Sequence, residues 1–512
     1  MKNNFKFFNF RPFVFSLIAF VIGVLLAFSF FVSIWFLIGF CATVVCALVL
    51  IFVFVKREFI MLHLSKIVIV LLGFVLGICS FSISELVFLK KQMPAGNYDV
   101  VARVAEVDDD GTNKDYYTIY VDDVVLDFGS GKKKLGGGAK MFTSVKFEVG
   151  DKISFRGYYT PNKHDTFNFM SFDNYGKLSA SGTISVADKR DLLVSDKIKN
   201  AGFRAFVLTG FENEGRTLYA MVFGDKSKLN ETTKSTFQSV GLAHILAVSG
   251  LHIGFFVLML SAFLDFCRVN KYAKFGILSV LLLVYCWICG FSYSVLRASA
   301  MCIVMLYASL RSKQYDGLSA LCFASILILT CDPSQMFSVS FLLSFFAVFS
   351  MFCLEKKIEF LLAKIYPSKF AGAFALSIST TIGVLPWMVY YFGCISTYSV
   401  PVNVVLIPVV SIIFMIAFAL APIACLFLGL SSILVLPKLM MRGVVVVCDA
   451  IAKLPGAVVE GNLDLWAVFV VVAAIVLCSD YVLLKGKTRI WLPVGVAATS
   501  MTLFLMNFAG VL

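Results

Sequence analysis

Two histidines and a serine lie within one short stretch of the sequence, Gly241–Gly254, which reads GLAHILAVSGLHIG. His244 and His252 are two of the four histidines in the chain, and Ser249 lies between them. In one continuous helix the two imidazoles would lie about 12 Å apart along the axis, too far to share a metal ion. No acidic or cysteine ligand accompanies them, so the sequence predicts no metal site and no cofactor here. A local break at Ser249–Gly250 would be easy, because glycine weakens a helix.

Nucleophilic chemistry is the other possibility for this stretch. Ser249 is followed by a glycine near a predicted membrane mouth, as in intramembrane serine proteases of the rhomboid kind. Those proteases need a histidine on another span, and the later spans of this chain contain none. The surrounding AVSGL also lacks both glycines of the G-x-S-x-G motif. We therefore predict no catalytic residue and no enzyme activity, and an intramembrane serine hydrolase stays an alternative.

Membrane helices are the elements that must position these residues. The 512-residue chain is 60% hydrophobic and contains 53 Phe. Apolar runs of about 20 residues are long enough to cross a bilayer core. Thirteen such runs are predicted, at about 13–31, 34–55, 66–84, 249–266, 275–291, 294–311, 317–331, 335–353, 371–392, 400–418, 421–436, 464–483 and 490–509. The sequence therefore predicts a polytopic α-helical membrane protein.

The net charge of +13 follows the membrane topology. Its excess of Lys and Arg falls in the loops that the span count assigns to the cytoplasm, which is the positive-inside bias of membrane proteins. Lys56 and Arg57 lie between the second and third spans, and Lys2, Lys6 and Arg11 precede the first. We therefore predict a multi-pass protein of the cytoplasmic membrane with its N-terminus inside and the residues after 85 outside.

A small β domain is predicted on the outside, where residues 96–187 alternate β-branched and aromatic residues between Gly and Asp turns. Basic residues and two tyrosines in its second half could form a charged surface with stacking rings. These candidates for nucleic-acid binding are Lys132, Lys133, Lys134, Lys140, Lys146, Lys152, Arg156, Tyr158 and Tyr159. A solvated lysine-rich loop is the alternative interpretation.

Residues 192–240 are polar and predict amphipathic helices that lie at the outer membrane interface. The domains predicted from these patterns are a three-helix membrane segment at 1–90, the β domain at 91–190, interfacial helices and the start of the histidine stretch at 191–248, and a polytopic domain at 249–512.

Polar groups inside the later spans are functional candidates, because they are costly in hydrocarbon. Arg297 is the basic residue within a predicted span, and Ser340, Ser344 and Asn403 are polar residues in others. Prolines remove helix donors, so broken helices that line a cavity are one interpretation of these positions and ordinary kinks are the other. The prolines concerned are Pro386, Pro401 and Pro408.

The stretch at 241–254 closely resembles the signature H-L-L-A-[IV]-S-G-L-H of the ComEC family, the inner-membrane channels for DNA uptake in natural competence. SVLRASAM at 294–301 and PVNVVLIPVV at 401–410 agree with the family in the same order. Three N-terminal spans followed by a β domain also look like the family's arrangement, whose β domain is OB-like.

The resemblance implies a channel that passes single-stranded DNA into the cytoplasm during natural transformation. A polyanion needs a wet passage with sparse positive or donor groups. The lining residues implied are His244, Ser249, Gly250, His252, Arg297, Ser340, Ser344, Pro386 and Asn403. A small-solute transporter is a further alternative.

The resemblance also implies partners. Besides single-stranded DNA and membrane lipid, a cytoplasmic helicase or ATPase motor and a separate DNA receptor are expected, and a homo-oligomer is possible. Many members carry a metallo-β-lactamase-like nuclease domain, whose H-x-H-x-D-H ligands are absent from this sequence with its four histidines. We therefore expect any nuclease to be a separate protein.

Overall fold

The computed structural model describes residues 11–30, 57–91, 93–108, 117–127, 132–135, 138–145, 147, 150–161, 174–181, 183–189, 194–364, 367–461 and 463–479. The predicted spans at 34–55 and 490–509 and the side chain of Lys146 lie outside these residues. Two compact units are formed, a helical unit (1–15, 198–325 and 339–512) and a second unit (16–197 and 326–338). This grouping differs from the four predicted segments, because 198–248 belongs with the later helices and most of 1–90 with the β region.

Two helices, α1 (Pro12–Phe30) and α2 (Arg57–Lys91), lie in or extend into the second unit. Glycines let their backbones approach closely. A Cβ on Gly77 would overlap the carbonyl oxygen of Phe20, and one on Gly73 would overlap that of Ser16. Small residues at a helix contact are how membrane helices pack without a hydrophobic driving force between them.

A small barrel follows in the same unit. Five strands close it in the order β1-β2-β4-β6-β5, with β5 paired back to β1. The β4–β6 pair is parallel and the other barrel pairs are antiparallel. This is the strand order of an OB-fold, so the predicted OB-like β domain is confirmed. The strands are β1 (Gly96–Asp108), β2 (Tyr117–Asp127), β3 (Lys132–Lys134), β4 (Gly138–Thr143), β5 (Asp151–Pro161), β6 (Asn174–Ala180) and β7 (Ser185–Lys189).

Strand β5 shows which side chains the barrel buries. Ile153, Phe155 and Tyr159 point into the core, while Lys152 and Tyr158 are exposed on the other face, as the two-residue period of a strand requires. Tyr159 is 0% exposed, and its ring lies edge-on to that of Tyr98 at 6.4 Å. The prediction that Tyr159 offers a stacking surface is therefore wrong, because an odd and an even position of one strand cannot share a face.

The helical unit is built from long apolar helices. In the described part of the chain, eight helices are long and apolar enough to span a membrane, two of them α1 and α2, and three shorter apolar helices accompany them. The predicted polytopic helical membrane protein is confirmed. Its helices are α3 (Val194–Val207), α4 (Glu212–Phe223), α5 (Glu231–Ser239), α6 (Gly250–Phe266), α7 (Lys271–Ile288), α8 (Tyr293–Leu310), α9 (Gly317–Cys331), α10 (Val339–Leu362), α11 (Ser368–Phe392), α12 (Ser399–Leu426), α13 (Val435–Ala452) and α14 (Leu465–Cys478).

Helix α12 corrects two predicted spans. It runs without interruption through the expected break near 419, and the second span, Leu428–Ala452, begins with the 3₁₀ turn Leu428–Leu434 and continues through α13. Pro408 and Pro422 lie inside α12, and Pro386 lies inside α11. The prolines therefore do not break these helices. Neighbouring helices and local adjustments can offset the hydrogen bond that a proline removes.

The segment predicted to lie at the membrane interface is part of the largest core. In α4, every residue from Thr217 to Phe223 is buried, and α4 and α5 pack against α12 and α13. The run TLYAMVF accounts for this burial. The position of the segment at the outer membrane interface stays a prediction.

The helical unit has two distinct ends. At one end, here called the signature end, Gly241 adjoins Ser399, and the connections before α12 and before α14 pair as β8 (Cys394–Ser396) and β9 (Val458–Glu460). At the other end, here called the basic end, Arg11 pairs with Asp316 and Lys274 with Asp265. The basic connections that follow α6, α8 and α10 lie there too, because those helices begin near the signature end.

Candidate functional site

The signature segment, residues 241–254, consists of a short turn, a break and the first residues of helix α6. Residues Ala243–Leu246 form one 3₁₀ turn, Ala247 and Ser249 are extended, and α6 begins at Gly250. The predicted break at Ser249–Gly250 is confirmed. It separates an exposed histidine, His244, from a buried one, His252.

Ser249 and His252 form a local pair at the start of α6. The backbone N–H of Ser249 donates to Nδ1 of His252 at 3.0 Å, and the Ser249 hydroxyl lies 3.2 Å from the same nitrogen. Because Nδ1 accepts the backbone N–H, the hydrogen-bond pattern assigns the proton of a neutral ring to Nε2. His252 is 1% exposed, and its ring centroid is 4.3 Å from that of Phe414 on α12.

This arrangement is that of a helix cap. In a capping box, the side chain at the third helical position accepts the N–H of the N-cap residue, and Glu or Gln usually fills that position. His252 occupies it here. A base for a serine nucleophile needs a free lone pair, whereas the single lone pair of Nδ1 already accepts the Ser249 backbone N–H. The pairing of Ser249 with His252 was not predicted from the sequence, although the i, i+3 spacing of the two residues could have indicated it.

Gly241 fixes where the signature segment begins. Its φ is +82°, a left-handed conformation. A Cβ there would meet Cβ of Ser399 at 2.5 Å. Glycine is needed both for the backbone conformation and for the close approach to the start of α12.

Arg297 lies beside the entry of α6. The residue is 4% exposed, and its Nε has no hydrogen-bond acceptor. Within the described ranges, no ion pair involves it. A Cβ placed on Gly250 would lie 3.6 Å from Cβ of Ala298, so the first turn of α6 touches α8 one residue after Arg297. The structure therefore brings the signature and Arg297 to the same end of the unit.

The serines on α10 and the other predicted lining residues differ in how exposed they are. Ser344 Oγ lies 3.4 Å from Ser294 Oγ of α8, and Ser340 is exposed. Asn403 is partly exposed on α12, with an Oδ1 that accepts no hydrogen bond. Pro386 is buried, as are His252 and Arg297, so these three do not face a water-filled passage in this conformation.

Two further polar residues, Asp225 and Lys226, precede the signature segment in the chain. Asp225 follows the left-handed Gly224 and accepts hydrogen bonds from the Tyr219 hydroxyl at 3.2 Å and the Ser227 hydroxyl at 2.6 Å. Lys226 is exposed, yet the surrounding protein lowers its pKa, and the charge of Lys234 lowers it further.

Metal and thiol chemistry find little support in the described part of the chain. No group of three or more His, Cys, Asp or Glu residues there could hold a metal ion. Cys286 and Cys289 are free and buried. Cys286 Sγ donates to Ser299 Oγ at 3.2 Å, which is a packing contact between α7 and α8.

The basic surface of the barrel is partly different from the predicted one. Lys133, Lys134, Lys152, Arg156 and Tyr158 are exposed, and Lys140 is half-buried. Some of these charges are neutralised, because Lys134 pairs with Asp123 at 2.8 Å and Arg156 lies 3.8 Å from Asp99. Lys132 lies in β3, and its side chain is not described.

Two exposed or half-exposed rings on the barrel surface were not predicted from the sequence. Lys140 lies over the rings of Tyr120 and Phe142, at 5.6 and 5.3 Å from their centroids. Lys177 of β6 is exposed and is the register partner of Lys140. Alternation along β2 and β4 could have indicated these residues, since Tyr120, Lys140 and Phe142 fall on the polar side of each strand.

Comparison with known proteins identifies relatives of the helical unit. Residues 221–484, more than half of the chain, match the family described as Competence protein. The chain is 30% identical over 191 residues to ComE operon protein 3 of Bacillus subtilis, which covers 37% of this chain and 24% of that protein. It is 27% identical over 199 residues to Recombination protein 2 of Haemophilus influenzae, covering 35% and 24%.

A third relative is a protein of Aquifex aeolicus, 28% identical over 226 residues, or 43% of this chain and 48% of that protein. The chain thus spans about a quarter of the length of the first two relatives and about half of the third. No solved structure matches. Since the matched region contains the signature segment, Arg297 and the helices that hold them, the chain belongs to the Competence protein family.

Proposed function

We propose that the protein is a conduit for single-stranded DNA across the cytoplasmic membrane during natural transformation. The observation that carries the proposal is the broken, polar helix entry at the signature end, next to the buried Arg297, whose Nε has no acceptor among the described residues. Hydrocarbon-spanning helices have no need of such groups, which are costly in a membrane unless they serve a substrate pathway. Membership of the Competence protein family supports the same role.

The conformation described is a closed one under this proposal. His252 and Arg297 would line the passage only after the mouth opens, since both side chains are now buried. The closed state protects the cell, because an open pore wide enough for DNA would also leak ions. Exposed His244 and half-exposed Ser249 would remain at the outer mouth in either state.

The barrel would hold the strand before it enters. Stacking on aromatic side chains and attraction to the phosphates are the two contributions that bind single strands without sequence preference. The face that supports this role combines Tyr120, Phe142 and Tyr158 with Lys140 and Lys177. It replaces the predicted set that included the buried Tyr159 and that relied on the paired Lys134.

Orientation and partners follow from charge. The basic end would face the cytoplasm by the positive-inside bias, which leaves the signature end outside. The barrel would be outside by the charges of the N-terminal spans, since Lys56 and Arg57 would be cytoplasmic. The passage would need a cytoplasmic helicase or ATPase motor, a separate DNA receptor and a separate nuclease. Membrane lipid surrounds the helices, and self-association is compatible with the proposal.

Uptake of fluorescently labelled DNA into the cytoplasm tests the conduit. Cells lacking this chain should accumulate label outside the membrane, and the wild-type gene should restore cytoplasmic label. Substituting Tyr158→Ala together with Lys177→Gln should lower uptake and weaken binding of a labelled oligonucleotide with a reduced salt dependence. Normal cytoplasmic uptake in the deletion strain would contradict the proposal.

An intramembrane serine hydrolase is the second candidate, favoured by the 3.2 Å separation of Ser249 Oγ and His252 Nδ1. The helix cap described above argues against it. A serine-directed fluorophosphonate distinguishes the two functions. A conduit should stay unlabelled, whereas labelling of the wild type that Ser249→Ala abolishes would favour the hydrolase.

A further inference from the structure

Arg297 is a buried cation for which the described residues supply no counter-charge. The residue is 4% exposed, its Nε lacks an acceptor, and none of the ion pairs between described residues includes it. An isolated charge costs several kcal/mol to bury, unless a counter-charge and hydrogen bonds offset that cost. Because the described residues supply no acceptor to Nε and no counter-charge, an anion from outside the protein would offset this cost.

The backbone around Arg297 is electropositive as well. Arg297 lies in the second turn of α8, which begins at Tyr293, and α6 begins at Gly250 next to Ala298. Each helix N-terminus carries about half a positive charge and N–H groups without helical acceptors. Ser292, the N-cap of α8, makes no capping hydrogen bond with its side chain. The start of α6 and the first two turns of α8 thus lie beside the Arg297 backbone, and no ion pair between described residues involves Arg297.

Hydroxyl donors lie on the same side of α8. Ser294 precedes Arg297 by three residues, a spacing that puts both on one helix face. Its Oγ lies 3.4 Å from Ser344 Oγ of α10, and either hydroxyl can donate. A planar guanidinium with neighbouring hydroxyls matches a tetrahedral oxyanion better than a spherical halide, because it can donate to two oxygens at once.

We propose that Arg297, Ser294, Ser344 and the first turns of α6 and α8 form a binding site for a phosphate group. The inference rests on the proposed function only in naming the group's source, a phosphodiester of the incoming strand. The strand is favoured over a lipid headgroup because Arg297 is buried within the helical unit, where α8 packs against α6, α7 and α10. Phosphate binding would also lower the cost of the buried charge and couple strand entry to opening of the mouth.

Thermal unfolding of the purified full chain in detergent tests the site. The midpoint is compared in sodium phosphate and in sodium chloride of equal ionic strength, for the wild type, Arg297→Lys, Arg297→Gln and Arg297→Met. Arg311→Gln is the matched control, because Arg311 is an exposed arginine at the other end of the same helix. Phosphate should raise the midpoint of the wild type and of the control. Its apparent affinity should fall about tenfold to a hundredfold in the Gln and Met variants, the loss expected for charge-assisted hydrogen bonds, and less in the Lys variant.

The same assay with a short oligothymidylate, and with phosphatidylglycerol in mixed micelles, separates the sources. Stabilisation by the oligonucleotide that requires Arg297 supports the strand, whereas stabilisation by the lipid alone overturns that assignment. An equal response of the wild type to phosphate and chloride would overturn the site itself, even if the variants fail to fold. Phosphate binding that survives while uptake of labelled DNA proves independent of the chain would refute the proposed function and leave the site intact.

Discussion

Two buried cations of the helical unit differ in whether the described residues supply hydrogen-bond acceptors for them. Lys438 of α13 is 0% exposed, and its Nζ donates to Thr209 Oγ1 at 2.8 Å and to the carbonyl oxygen of Gly210 at 3.2 Å. Arg297 of α8 is 4% exposed and leaves Nε without an acceptor. The first cation joins the turn between α3 and α4 to α13. Burial alone therefore does not distinguish the two cations, whereas the presence or absence of acceptors does.

The largest expected effect is at Lys438. Lys438→Ala should lower the free energy of unfolding by about 2–4 kcal/mol, because it leaves a cavity and removes a charged donor from two acceptors. Arg442→Ala on the same helix is the control, since Arg442 is exposed and should change stability little. Arg297→Met should not destabilise the unliganded protein, and thermal unfolding in detergent measures all three. Equal destabilisation by Lys438→Ala and Arg297→Met would contradict the proposed difference between the two cations.

The next effect concerns the backbone that holds the signature end. Gly241→Ala should cost about 1–3 kcal/mol, since a side chain is strained at its φ of +82° and would also meet Ser399. Gly254→Ala is the matched control within the same stretch, where a Cβ meets nothing within 4 Å and a helix interior gains from alanine. The yield of folded protein and its unfolding midpoint measure the difference. A tolerated Gly241→Ala would mean that the contact with Ser399 is dispensable.

His252 should show a smaller effect that depends on the replacement. His252→Ala should be less stable than His252→Gln by about 1 kcal/mol, because alanine loses the cap whereas glutamine can accept the Ser249 N–H. DNA uptake should follow the same order if the imidazole serves as a cap. Uptake lost in a stably folded His252→Gln variant would instead indicate a chemical role for the ring.

The smallest effect is at Lys226, an exposed cation near another cation. The protein that surrounds its amine lowers the pKa of Lys226, and the charge of Lys234 lowers it further. More of this amine is therefore neutral at a given pH than in an ordinary lysine. We expect acetic anhydride at mildly alkaline pH to modify Lys226 faster than the exposed Lys271. Lys234→Gln removes the repulsion, raises the pKa and should slow the modification modestly. Mass spectrometry of the peptides measures both rates, and an unchanged rate in the variant would exclude coupling between the two lysines.

The sequence by itself determined the class of protein and the place of its unusual groups. Apolar runs identified the membrane helices, alternation identified the barrel, and the signature at 241–254 with its weak point at Ser249–Gly250 was readable as a break. These features depend on local periodicity and on the cost of polar groups in hydrocarbon, both of which a linear sequence expresses. The single helix across residues 399–426 could not be predicted from the sequence, since a proline is equally consistent with a break and with a kink.

Only the tertiary structure decided which polar groups are satisfied. Arg297 and Lys438 both stand in largely apolar stretches of the sequence, yet one finds acceptors more than 200 residues away and the other leaves Nε without an acceptor. The same holds for 198–248, whose burial depends on α12 and α13 covering it. Hydrogen bonds and burial arise from residues distant in sequence, so spacing alone could mark Arg297 as unusual but could not distinguish a structural cation from one that awaits a ligand.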